Sequence, residues 1–128
     1  MNIHVVLDSS ALAAYARLDA LAVGELITVV AENGGTVGIP APVFAETYRI
    51  VDEDERKRLT RLLTDDVYTL ILPMLADDLL DVAELGRRLP LPLAHAVTQT
   101  RRHGASLATL EPGAVRADLD DYDVINLN

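Results

Sequence analysis

Apolar positions along the chain alternate between short β-branched runs and longer stretches with helical spacing. Ile3–Leu7 (IHVVL) reads as a buried strand, and the Asp8-Ser9-Ser10 that follows suits a helix cap. Ala11–Arg17 continues as helix, and Leu21–Asn33 forms a second helical stretch stopped by Gly34-Gly35. Thr36–Ile39 is the next strand, and Pro42 opens a helix running to about Val51. Asp52–Asp66 places acids first, bases in the middle and leucines at 59, 62 and 63, an amphipathic helix. Val67–Leu72 is a third strand. Leu75–Leu89 is helical, with Asp77 and Asp78 near its start and Arg87 and Arg88 at its end. Pro92 opens another helix through Arg102, ended by Gly104, before a fourth strand at Ser106–Leu110. A turn or short helix at Pro112–Asp118 precedes a last strand, Asp123–Leu127. Strands alternating with helices predict a parallel sheet covered on both faces. The fold class is therefore α/β: a three-layer α/β/α domain with a central, mainly parallel sheet of about five strands.

The 128 residues suit a single domain, 1–128, with one core. With one Phe, four Tyr and no Trp, the 50% apolar fraction must pack mostly as Ala, Leu and Val. The lack of cysteine removes disulfides, thiolate metal sites and cysteine nucleophiles together. His4, His95 and His103 are too few for a His-rich zinc site, and Lys57, the only lysine, sits in a charged run unsuited to a P-loop or Schiff base. A net charge of −9 argues against binding nucleic acid by charge alone. No apolar run is long enough to span a membrane, and the N-terminus reads as a strand instead of a signal peptide, so a cytoplasmic location is expected.

Ligands of open α/β sheets bind beyond the carboxyl ends of the strands. Asp8 directly follows the first strand, Glu46 lies in the first turns of the helix after the second, and Thr109 and Glu111 end the fourth. Carboxylates converging without a lysine or histidine partner are hard oxygen ligands suited to Mg²⁺ or Mn²⁺. Each also has a plainer role: Asp8 as a helix cap, Glu46 as a solvated helix residue, Glu111 as a turn acid before Pro112, and Thr109 as a strand-end cap.

Asp8 within VVLDSSAL, Glu46 within PVFAETYR and the run GASLATLEP at 104–112 resemble, in order and spacing, the successive signatures of the PIN domain. The likeness spans essentially the whole chain and is nearest to the VapC-type toxins of bacterial toxin–antitoxin pairs. It implies a metal-dependent endoribonuclease, usually homodimeric, with Asp8 and Glu46 as Mg²⁺ or Mn²⁺ ligands and Asp8, Glu46, Thr109 and Glu111 as the catalytic set. It also implies RNA and a cognate antitoxin as partners. One position departs. Where the family has an acid opening the helix before the Gly-Ala strand, this chain has Leu93, eleven residues ahead of Gly104. The last acid is Glu111 in place of the usual Asp. His95 lies roughly 200° around the helix from position 93 and cannot take over as ligand; it reads as a packing residue. With an acid lost, metal binding is expected to be weak and nuclease activity weak or absent, leaving a non-catalytic binding or dimerisation module for RNA or a protein as the alternative.

Arg49, three residues after Glu46, is the expected RNA contact. Arg87, Arg88, Arg101, Arg102 and His103 read as helix C-terminal charges complementing the dipole. Asp52–Glu55 followed by Arg56, Lys57, Arg58 and Arg61 suggests i,i+4 pairs on a solvated face. The helices at 11–31 and 75–89 carry more Ala, Leu and Val than a small globule buries, which predicts a homodimer through helical surfaces.

Overall fold

The computed structural model of the chain describes residues 2–19, 21–64 and 67–128. Five strands form one sheet in the order β3-β2-β1-β4-β5, and every neighbouring pair is parallel. The strands are β1 (Ile3–Leu7), β2 (Thr36–Pro40), β3 (Thr69–Leu72), β4 (Ser106–Thr109) and β5 (Val124–Asn126). Between β1 and β2 run α1 (Ser9–Arg17) and α2 (Leu21–Glu32). Between β2 and β3 run α3 (Ala41–Ile50) and α4 (Glu53–Thr64), and between β3 and β4 run α5 (Leu79–Leu85) and α6 (Leu91–His103). Because the chain steps one way from β1 to β3 and the other way from β3 to β4, right-handed crossovers put α1–α4 on one face and α5 and α6 on the other. The packing agrees: α1 touches α2, α3 and α4, while α6 lies on α5 and on β1, β2 and β4.

Small aliphatic side chains make the core. Val6, Leu7, Leu12, Val37, Ile39, Val43, Leu59, Val97 and Leu107 are completely buried. Gly38 in β2 is required by this packing, since a Cβ there would lie 2.6 Å from the Leu72 side chain.

Three elements differ from the sequence expectation. The helix expected over 75–89 is broken: Ala76–Asp78 is a 3-10 turn, and α5 spans only Leu79–Leu85. The Asp78 carboxylate turns back to accept from the Leu75 N–H, which caps a start three residues late, and Pro90 precludes a long continuation. Asp52 and Glu55 do form a reciprocal cap on α4. Two of the bases that follow, Arg56 and Arg58, are spent on neighbouring helices. Arg56 donates to the Tyr48 and Arg49 carbonyls at the end of α3 and lies 5.1 Å over the Tyr48 ring. Arg58 donates to the Ala16 carbonyl at the end of α1, at 2.6 Å. Both satisfy C-terminal carbonyls that a helix leaves open. The end expected for that helix, Asp65–Asp66, lies outside the described residues. Finally, a further 3-10 turn at Asp121–Asp123 leads directly into β5.

Candidate functional site

The order β3-β2-β1-β4-β5 reverses direction between β1 and β4, and a ligand crevice is expected beyond the carboxyl ends of those two strands. Asp8 follows β1 and Thr109 ends β4. The register pairs Leu7 with Ala108, which brings the two side chains together. The chain's own topology thus builds the site expected from the sequence.

Asp8 is buried and caps α1. Its Oδ1 accepts from the Ala11 N–H at 2.9 Å and from the Ser10 hydroxyl at 2.7 Å. Its Oδ2 accepts from the Thr109 hydroxyl. Ser10 Oγ in turn accepts from Leu110 N–H at 3.0 Å, and Thr109 Oγ1 accepts from Glu111 N–H at 2.9 Å. The plainer readings of Asp8 and Thr109 as caps are therefore both realised, in one interlocked network joining β1, α1 and β4. Every donor to Asp8 is neutral.

In front of Asp8 lies a cavity of about 380 Å³, lined by Asp8, Ser9, Ser10, Glu46, Leu93 and Glu111, with Ile50, Pro90 and Pro92 completing an apolar wall. Packing between α3 and α6 closes it. All four expected acid or hydroxyl positions thus gather at one cleft: Asp8, Glu46 and Glu111 on its lining and Thr109 directly behind Asp8. Leu93 reaches the same cleft, half-buried against the core. Glu46 is held by Arg49: Nη2 donates to Oε1 at 2.6 Å and Nε to Oε2 at 3.3 Å. The Arg49 hydrogen bond, aided by its charge, lowers the Glu46 pKa below the usual carboxylate value, and Glu46 raises that of Arg49 in return. Arg49, expected to face RNA, instead spends its guanidinium on the neighbouring acid.

This donor set is a lean one for a catalytic Mg²⁺ or Mn²⁺. A carboxylate offers about four acceptor positions. Asp8 has used three of them, and Glu46 has both oxygens on a guanidinium. Leu93, where the resemblance expects an acid, adds no oxygen to the cleft. Among the described residues, no group of three or more His, Asp or Glu side chains is placed to hold a metal ion.

Sequence reasoning missed a second polar centre, around Asp78. Its side chain is 2% exposed and accepts from Leu75 N–H, from Gln99 Nε2 at 3.0 Å and from Arg102 Nη2 at 2.8 Å. Beside it on α6, His95 is fully buried, as the packing reading requires. The spacing 95, 99, 102 is one face of a helix, but the polar run from Thr98 to His103 hides it in the sequence. The basic residues near the end of the chain are also engaged. Arg88 pairs with Asp118, Arg101 donates to the Asp118 carbonyl, and Arg87 pairs with Glu84. Among the described residues, no helix is long and apolar enough to cross a membrane. No protein-family model and no curated protein sequence matches the chain.

Proposed function

We propose that the chain is a PIN-like protein whose nuclease centre has lapsed and which serves as a binding and dimerisation module. The observation that carries this reading is the state of the cleft. Asp8 and Glu46 stand where the resemblance puts metal ligands, but each is occupied by the protein's own donors, and Leu93 walls the third side. A metal there would have to position a phosphate and activate water, with Asp8 and Glu46 already bonded to the protein's own donors and Glu111 as the remaining carboxylate on the lining. Arg56, Arg58 and Arg101 are spent on backbone carbonyls within the fold, which weakens RNA as partner relative to protein.

A second copy of the chain is the partner favoured by the exposed apolar face. α5 and the turn before it expose Leu75, Leu79 and Leu80, with Leu91 nearby. A two-fold axis through this segment sets these leucines against their own copies, with Arg87 already paired to Glu84 at the rim. The other exposed apolar helix, α2, carries Glu25 and Glu32 and no base, and a second copy there would meet like charges.

The test of the lapsed centre is a melting titration with Mn²⁺ plus a fluorogenic RNA assay. It compares wild type, Leu93→Asp, and Leu93→Asp combined with Asp8→Ala. Wild type should show neither a Mn²⁺-dependent shift nor cleavage. Leu93→Asp should gain a shift, because the added carboxylate supplies an oxygen ligand at a helix N-terminus, and the double variant should lose it. Metal-dependent cleavage by wild type that Asp8→Ala abolishes would refute the proposal. For the dimer, light scattering should give twice the chain mass, reduced to the monomer by Leu80→Glu and left unchanged by Val29→Glu.

A further inference from the structure

α6 packs on the turn before α5, and His95 is completely buried there. Among the described residues neither Nδ1 nor Nε2 makes a hydrogen bond of ordinary geometry, the Pro73 carbonyl offering only a weak one. An imidazole always brings polar nitrogens, a donor and an acceptor when neutral and two donors when charged. Burying them unpaired is already unfavourable, and burying them charged is far more so.

We propose that His95 is an acid-triggered release: neutral, it serves as a core side chain, and on protonation it loosens the first turns of α6 and with them the Pro90–Leu93 wall of the cleft. The groups around it leave a proton no good place. The carboxylate it senses is Asp78, on the 3-10 turn, and Asp78 is already balanced by the Arg102 guanidinium from α6 and bonded by Gln99 and Leu75. The Pro73 carbonyl adds a weak pull. Asp78 attracts a proton toward His95, but its oxygens are already taken by Arg102, Gln99 and Leu75, so an imidazolium would sit in the core without a carboxylate of its own. Burial accordingly lowers the His95 pKa below that of a free imidazole, only partly opposed by Asp78 and then Pro73.

The sign follows from linkage. With the folded pKa below an unfolded value of about 6.5, the opened state takes the proton first as pH falls. The stability tied to neutral His95 is complete above about pH 6.5 and is lost as pH falls through that value toward the folded pKa. One proton bound only on opening raises the opening constant about tenfold per pH unit in this window. The window opens at about 6.5, above the ordinary carboxylate range of about 4, which separates its onset from general acid unfolding.

Amide hydrogen exchange, corrected for intrinsic rate and followed from about pH 7.5 to 5.5, reads this directly. Opening constants for 91–97 and 75–79 should rise about tenfold per pH unit below about 6.5, while those of α2 rise less. His95→Gln, neutral at every pH, should abolish the slope. An equal slope in His95→Gln, or an equal rise throughout α2, overturns the proposal. Should His95→Gln fail to fold, imidazole titration of wild type by NMR decides. His95 must then titrate below the free-imidazole value of about 6.5, and titration at or above it overturns the proposal.

Discussion

Two buried carboxylates, Asp8 and Asp78, sit at the starts of helical segments and are held in opposite ways. Asp8 is bound by neutral donors alone: a backbone N–H and the hydroxyls of Ser10 and Thr109. Asp78 has one backbone and one amide donor, and its third partner is the Arg102 guanidinium. The Asp78 charge is therefore cancelled locally and belongs to the fold. The Asp8 charge is held in place but not cancelled, and it looks into the cleft. A carboxylate that the fold orients without neutralising stays available to a positively charged partner, so Asp8 faces outward to the cleft while Asp78 is a structural joint.

The largest expected effect breaks the joint. Asp78→Ala leaves Gln99 Nε2 and Leu75 N–H without their acceptor and Arg102 without its anion. Removing one member of a buried pair costs about 3–5 kcal/mol. The Arg102 side chain is 37% exposed and can turn to water, which places the loss near the lower end, about 3 kcal/mol. Asp78→Asn keeps the size but removes the anion and should still cost about 2 kcal/mol. Urea midpoints at unchanged slope measure both.

At Asp8 the ranking of substitutions should invert. Asp8→Ala removes a helix cap and strands the buried Thr109 hydroxyl, a loss of about 2 kcal/mol. Asp8→Asn retains the cap oxygen, and its amide can donate to Thr109 Oγ1 if that hydroxyl turns, so the cost should stay under about 1 kcal/mol. An Asn variant as damaging as Ala at Asp8, measured by the same urea midpoints, would mean that the charge itself is used by the fold, and the contrast between the two acids would collapse.

Only one of these acids was legible from the sequence. A strand followed by Asp-Ser-Ser announces a cap at a strand's carboxyl end, and parallel β/α topology then carries it to the same edge as Thr109, about a hundred residues away. The alternation of strands and helices, read locally, gave the sheet for the same reason. Asp78 looked like one of two acids at a helix start. Its burial depends on Gln99 and Arg102, more than twenty residues later, and on a helix break that local propensity does not signal. The roles of Arg49, Arg56 and Arg58 were also hidden. Their side chains are long enough to choose between a solvated acid and a neighbouring helix, and only the packed arrangement of α1, α3 and α4 decides.

The smallest effect asks whether the cost at Asp8 arises in α1 itself or in the joint with β4. α1 is capped by Asp8 at one end and terminates at Leu18, which adopts a left-handed backbone with φ 57°. Leucine there carries a steric penalty that glycine avoids. Its side chain is 61% exposed, so truncation forfeits little burial. Leu18→Gly should therefore stabilise the protein by about 0.5–1 kcal/mol, after the extra chain entropy of glycine is subtracted. The two ends of α1 are separated by roughly 15 Å along the helix. If Asp8 acts mainly through the Thr109 network, the two substitutions are independent, and Leu18→Gly combined with Asp8→Ala should equal the sum of the singles within about 0.5 kcal/mol. If Asp8 acts instead by preventing α1 from fraying, a firmer far end will compensate, and the double variant will be more stable than that sum. Additivity in urea midpoints would fix Asp8 as the clasp between β1 and β4, the position from which it faces the cleft.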